Sequence, residues 1–374
     1  MRIVPLACIH AALLVLAGPM APAAEPKKEV KTLEIGSPAP DFDLPGVDGR
    51  RHKLADFGAA KVLAVVFTCN HCPTAQAYEE RIAKLGEDYR GKGVALVAVS
   101  PNDPLAVRLD ELGYTDLGDS FEDMKIRARE RGFKFPYLYD GETQSVSRAY
   151  GAMATPHVFI FDEERKLRYV GRIDDSEVKT VKSHDARNAI EAILAGRPVP
   201  VERTRVFGCS TKWAEKREDV KRSLARWDAE PVDLKSVSSS EVRDLARNDT
   251  KKLRLVSVWA TWCAPCVKEL PDLVAMNRMY RGRPFELVTV SIDAPGKKED
   301  VLEALGKAHA SSTNFIFSED SKDRLAEALD PAWAGPVPHT VLIAPGGKVI
   351  YRKTGEIDPL EVRRAIVGYL GRTY

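Results

Sequence analysis

The chain has 374 residues, 44% apolar and 29% charged, an ordinary globular composition with enough length for two domains. Its 56 Lys and Arg against 54 Asp and Glu leave a formal charge of +2. No basic run is interleaved with aromatics, so nothing argues for nucleic-acid binding.

The chain opens with Arg2, an apolar run from Ile3 to Gly18, and the small residues Ala21-Pro22-Ala23-Ala24. This pattern predicts an export signal over residues 1–24. The run is short for a membrane span, and an uncleaved N-terminal anchor is the alternative. A lipoprotein reading of Pro5-Leu6-Ala7-Cys8 fails, because the run before Cys8 is too short and Pro5 is wrong for the motif. No later stretch is apolar enough to cross a bilayer. The mature chain is therefore expected outside the cytoplasm, in the periplasm if the source is Gram-negative. Of six cysteines, five remain after loss of Cys8: Cys69, Cys72, Cys209, Cys263 and Cys266. Two pairs would leave one thiol over.

Past a charged spacer, a first domain is expected over residues 32–200. A hairpin is predicted at Val47-Asp48-Gly49. Lys61 to Thr68 reads as a buried strand ending at Cys69-Asn70-His71-Cys72-Pro73, and Tyr78 to Leu85 has helical spacing. Val94 to Ser100 is a second buried strand. Residues 103–134 read as a charged, helical insertion. Residues 201–231 read as a linker. It holds Phe207-Gly208-Cys209-Ser210-Thr211-Lys212-Trp213, then a charged helix from Glu215 to Trp227.

A second domain is expected over residues 232–374. Leu255 to Trp259 is a buried strand, and Cys263 and Cys266 lie where it hands over to a helix, with Val267, Leu270 and Val274 at helical spacing. The free N–H groups and the dipole at a helix start favour an anion, so Cys263 should be a stabilised thiolate. Cys266, one turn in, can release a mixed disulfide. A structural staple closing so short a loop would stabilise little. A zinc pair would need two further ligands, and none are visible.

The two halves repeat one another. Thr155-Pro156-His157 and Val337-Pro338-His339 each open an apolar strand, followed by a turn, a second strand with Tyr, and Gly-x-Ile-Asp. Cys69 precedes Pro156 by 87 residues and Cys263 precedes Pro338 by 75, which indicates an internal duplication. Strands alternating with helices give an α/β class.

Trp262-Cys263-Ala264-Pro265-Cys266, with Glu269 and Pro271, resembles the TlpA/ResA-like branch of the thioredoxin superfamily. That resemblance implies a mixed sheet flanked by helices, Glu269 assisting proton transfers, and Trp262 and Pro265 modulating the pair. It implies cis peptides at Thr155-Pro156 and Val337-Pro338, with Pro156 and Pro338 positioning an extended substrate segment. Ser257 stands where thioredoxin carries a buried Asp, so proton handling by such an acid is not expected.

The first half resembles the redoxin (AhpC/TSA-like) families, in particular a group with a CNHCP site. As a CxxC motif, Cys69 attacks and Cys72 resolves. As a peroxiredoxin loop, Cys72-Pro73-Thr74 surrounds the reactive sulfur, but the Thr three residues earlier is Cys69 and the expected Arg is absent. A cationic His71 would make the Cys69–Cys72 pair more oxidising than the Cys263–Cys266 pair; the alternative is a solvated turn residue. Cys209 is a resolving thiol or a packed one.

The expected function is an exported thiol–disulfide oxidoreductase with two tandem thioredoxin-like domains and two redox sites, needing no cofactor. Protein thiols and disulfides are the partners, with an upstream thiol reductant protein, and electrons pass between the domains. One alternative is a peroxide reductase with a fused reductant domain. Another is a copper-site maturation factor holding metal at Cys69, His71 and Cys72.

Overall fold

Two uninterrupted apolar runs set the centres of the two halves. The computed structural model describes residues 30–176 and 180–373, so the expected export signal and Cys8 lie outside the described residues. Among the described residues no helix is long and apolar enough to cross a membrane.

The described chain opens with an antiparallel ribbon, β1 (Asp43–Pro45) with β2 (Arg51–Lys53), around the expected turn. The first sheet follows: β3 (Val62–Phe67), α1 (Pro73–Asp88), β4 (Val94–Ser100), α2 (Phe121–Glu130), β5 (Tyr137–Tyr139) and α3 (Ser145–Tyr150). Then come β6 (Ala154–Thr155), β7 (His157–Phe161), β8 (Leu167–Gly171), α4 (Asp185–Leu194), β9 (Cys209–Ser210) and α5 (Arg217–Asp228). Strand order is β5-β4-β3-β7-β8, with β3, β4 and β5 parallel and β7 and β8 antiparallel. Every residue of β3 is buried because the sheet is covered on both faces. Leu63, Val65 and Phe67 pack with Val97, Val99 and Phe159, while Val62, Ala64 and Val66 pack with Ile82, Leu85 and Ile190.

The second half runs β10 (Lys235–Val237), α6 (Ser239–Arg247), β11 (Leu253–Trp259), α7 (Ala264–Tyr280), β12 (Phe285–Ser291) and α8 (Lys298–Lys307). It ends with β13 (Thr313–Phe317), α9 (Lys322–Leu329), β14 (His339–Ile343), β15 (Val349–Thr354) and α10 (Pro359–Leu370). Its order, β10-β13-β12-β11-β14-β15, repeats the first sheet with β10 added at one edge. The strand after each proline runs antiparallel beside the strand that leads to the cysteines, with Phe67 opposite His157 and Val258 opposite His339. The protein is thus α/β with two mixed sheets in two thioredoxin-like domains.

The stretch 103–134 is helical only in part. Phe121–Glu130 is its one α-helix, and residues 104–112 form two short 3-10 turns. The connection from β4 to β5 is longer than its counterpart from β12 to β13, as an insertion requires, and it also makes contact between the halves. Leu109 and Leu112 pack on the second core. Tyr280 Oη donates to Thr115 O at 2.8 Å, Arg283 Nη1 to Gly113 O at 3.0 Å, and Arg372 Nη1 to Asp116 Oδ1 at 2.6 Å. Trp227 is buried beside Arg278 and Arg281, so it packs, as expected.

Residues 202–212 are bound along the first half. Val170 N donates to Glu202 O at 2.9 Å and Thr204 N to Val170 O at 3.1 Å. Lys212 N donates to Asn102 Oδ1 at 2.8 Å, and Lys212 Nζ pairs with Glu111 at 2.6 Å.

Candidate functional site

In the second half, Cys263 is the N-cap of α7. The turn that delivers it is held by Asp293, whose carboxylate accepts from Thr261 N at 2.9 Å and Thr261 Oγ1 at 2.7 Å. Cys263 and Cys266 are joined in a disulfide. Cys266 N donates to Cys263 Sγ at 3.3 Å, which places that sulfur in the positive field of the helix start. Cys263 is 6% exposed and Cys266 fully buried, so the first sulfur is the reachable one. Pro265 lies in the first turn, where its missing N–H costs no helical bond. Trp262 stands exposed beside the pair with Lys322 Nζ over its ring.

Glu269 lies one turn beyond Cys266 on the same helix face and is buried. Ile357 N donates to its Oε2 at 3.3 Å, and its Oε1 has no partner among the described residues. Burial is the main cause that pushes its carboxyl up to about 7; the charges of Glu356 and Asp272 add to it, and the Ile357 bond opposes. The chain continues helically through Pro271. Ser257 is buried in β11, and its Oγ makes no protein hydrogen bond. Val337-Pro338 is cis, as is Thr155-Pro156. His339, just after Pro338, bonds Asp330 at 3.2 Å and Thr354 at 2.9 Å and stacks on Trp333, which fixes the start of β14.

In the first half the helix begins three residues later relative to its motif. Cys72, not Cys69, is the N-cap of α1. The expectation that Cys69 attacks placed the helix start at Cys69; the helix start lies at Cys72. Cys72 Sγ accepts from Ala75 N at 3.5 Å and Cys209 N at 3.3 Å. Burial opposes its ionisation, but hydrogen bonds from the Cys209 and Cys69 thiols, the charge of His71 and the Ala75 N–H together hold it well below the ordinary cysteine range. Cys69 moves the other way: burial, the neighbouring Cys72 and the Asp119 charge raise it, against one bond from Thr155 Oγ1 at 3.1 Å. The Cys209 thiol is raised because it donates to Cys72, and by burial.

His71 is 1% exposed and is no solvated turn residue. Its Nδ1 lies 2.5 Å from Asp119 Oδ2. Burial disfavours the imidazolium, yet the Asp119 charge and hydrogen bond outweigh that and raise its pKa. The ring, biased toward its charged form, sits beside Cys72 and lowers the Cys72 thiol. Asp119 also accepts from Asn70 N, His71 N and Asn102 Nδ2 at 2.9, 3.1 and 2.7 Å. Cys69, His71 and Asp119 bring one ligand atom each within 4.8 Å of one another. Four donors already fill the accepting positions of the Asp119 carboxylate, which suits a counter-ion better than a metal ligand.

Sequence reasoning missed Asp119, Asn102 and Asp293. Asp119 is 49 residues from the Asn70 it binds and lies in a turn with no periodicity to mark it. Pro156 follows Thr155 directly beside Cys69 and Cys72, and Cys209 joins them as the third sulfur of the cluster.

The AhpC/TSA family model matches residues 35–170, and the Redoxin family model matches residues 231–366. A thiol-disulfide oxidoreductase ResA of Bacillus subtilis (strain 168) is 30% identical over 100 residues, covering 27% of this chain and 51% of that protein. The ResA of Geobacillus thermodenitrificans (strain NG80-2) is 26% identical over 155 residues, covering 40% of this chain and 78% of that one. The chain thus spans about half the length of the Bacillus subtilis relative. A hypothetical protein of Sinorhizobium meliloti 1021, known from its crystal structure, is 36% identical, with 49% of this chain and 97% of that one covered and a TM-score of 0.45.

Proposed function

The chain belongs to the thioredoxin superfamily, an AhpC/TSA domain followed by a Redoxin domain, and from that premise we propose that its second half is a thiol–disulfide oxidoreductase working through Cys263 and Cys266. One observation carries this reading: a helix-capping cysteine, 6% exposed, is disulfide-bonded to a fully buried one a turn further in. In the reduced form Cys263 thiolate attacks a substrate disulfide, and one substrate sulfur leaves as a thiolate. Cys266 then attacks Cys263 Sγ, the second substrate thiol is released, and the disulfide forms. Glu269, with a carboxyl near neutrality, takes and returns the proton of Cys266. Trp262 and Val267 are 63% and 39% exposed next to Cys263 and offer an apolar seat for a protein substrate, with Pro338 positioning the segment. An upstream thiol protein restores the dithiol. The test is reduction of insulin disulfides at the expense of a dithiol. Cys263→Ser should abolish catalysis, and unchanged turnover would overturn the assignment.

The first half, in this reading, is a second thiol redox site with Cys72 as the attacking sulfur. Peroxide reduction by that sulfur is a second reading, favoured by one observation: Cys72-Pro73-Thr74 opens α1 with the sulfur at the N-cap. Peroxide consumption lost in Cys72→Ser and kept in Cys263→Ser supports it. Export belongs to the same proposal, supported by the basic, apolar and small-residue order of residues 1–24. N-terminal sequencing of the mature protein should then begin at Glu25.

A further inference from the structure

We propose that the first site carries its own substrate segment: strand β9 pairs with β6 beside Cys72, and Cys209, not Cys69, forms the redox disulfide with Cys72. This rests on the reading of the first half as a thiol redox site. Thr155, directly before Pro156, pairs antiparallel with Cys209. Cys72 Sγ lies 3.4 Å from Thr155 O and 3.3 Å from Cys209 N, so it sits between the two paired strands. The pairing continues outward, with Thr211 N donating to Met153 O at 3.0 Å and Thr211 Oγ1 to Ala152 O at 2.6 Å. Gly208 makes the approach possible. Its φ is +137°, and a Cβ there would stand 2.1 Å from Thr155 O.

The second half supplies the contrast. Among the described residues no strand pairs with Val337, the counterpart of Thr155, and exposed Trp262 flanks the cysteines there. That edge is open to an external peptide. In the first half β9 occupies the position beside Thr155, Cys69 and Cys72 are 2% and 0% exposed, and Cys209 is half-buried. Cys209 is therefore the sulfur that an outside partner reaches.

The exchange balances as follows. A dithiol partner's thiolate attacks Cys209 Sγ of the Cys72–Cys209 disulfide. The S–S bond breaks, and its electron pair leaves on Cys72, a sulfur held by the helix start and two N–H groups. The partner's second thiolate then attacks its own sulfur in the mixed disulfide, and Cys209 leaves and takes up a proton. The partner is oxidised to a disulfide, and the protein pair is reduced. Leaving-group stability and access both favour attack at Cys209.

The test uses the full chain carrying Cys263→Ser and Cys266→Ser, poised across a series of reduced and oxidised glutathione, acid-quenched, alkylated and mapped by mass spectrometry. The expected linkage is Cys72–Cys209. It should persist in Cys69→Ser, vanish in Cys209→Ser, and fall several-fold at a fixed poise in Gly208→Ala. A Cys69–Cys72 linkage with Cys209 alkylated would overturn the proposal while keeping the first half as a redox site. No disulfide in the first half at any poise would overturn both.

Discussion

Cys72 and Glu269 are two side chains whose ionisation the fold moves in opposite directions, for opposite reasons. Cys72 gains N–H donors, two thiol donors and the neighbouring His71, so its thiolate should persist below the usual cysteine range. Titration by the ultraviolet absorbance of the thiolate should show this signal in Cys69→Ser and lose it in Cys72→Ser. His71→Gln should move the titration to higher pH by removing the adjacent positive charge, and it should make the first disulfide less oxidising. An unmoved titration would deny His71 that influence. Glu269 is raised to about 7 from 4.5, mainly by burial. Its folded form therefore holds a proton that the unfolded chain releases. Its contribution to stability is complete below about pH 4.5 and is lost as pH rises through about 7. Urea midpoints measured over that window should flatten in Glu269→Gln, and turnover at neutral pH should fall by roughly 10²-fold if the proton role holds. The reactive cysteines were legible as motifs. The proposed order in the first differs from the expectation because Cys72-Pro73 rather than Cys69-Asn70 opens α1.

At the scale of elements, the continuous apolar runs announced β3, β4, β11 and β12, since strands covered on both faces have no polar side to alternate with. The segment from 103 to 119 gave no such signal. Its residues are chosen for single contacts across the molecule, with Thr115, Asp116 and Asp119 each bound to a different distant element. Asp116 is 1% exposed. Burial opposes its charge, but hydrogen bonding by Arg372 and the charge of Arg127 bring it down to about 2. Arg372→Ala should cost about 1.5–3 kcal/mol, the scale of a lost hydrogen bond to a charged group. Tyr280→Phe should cost about 1 kcal/mol by removing one neutral bond. Denaturant unfolding of both variants checks the ranking. The stabilisation from Asp116 is present above about pH 4 and is lost as pH falls through about 2.

For the whole molecule, the decisive element is α7. Its N-terminus carries Cys263, and its last residue, Tyr280, touches Thr115, whose Oγ1 donates to Asn70 O at 3.3 Å. Seventeen residues at about 1.5 Å each separate those ends by about 25 Å. The first-half cysteines thus lie toward one end of α7 and Cys263 at the other. Disulfide exchange needs sulfur atoms in contact, so we expect no direct exchange between the two sites in this arrangement, against the electron passage the sequence suggested. Cys266→Ser should trap Cys263 on outside thiols, with no link to Cys69, Cys72 or Cys209 of the same chain. Peptide mapping of the monomeric product checks this, and a Cys263–Cys72 peptide would mean that the halves undock.

The sequence by itself determined the α/β class, the duplication, both cysteine motifs and the prolines that face them. These are local properties: burial on two faces, turn chemistry, and a helix start after a strand. Tertiary structure alone decided that Asp119 holds His71, that β9 lies beside Cys72, and that the end of α7 docks on Thr115. Each of these depends on residues brought together from 48 to 165 positions away in the chain, and no spacing along a sequence encodes such a meeting.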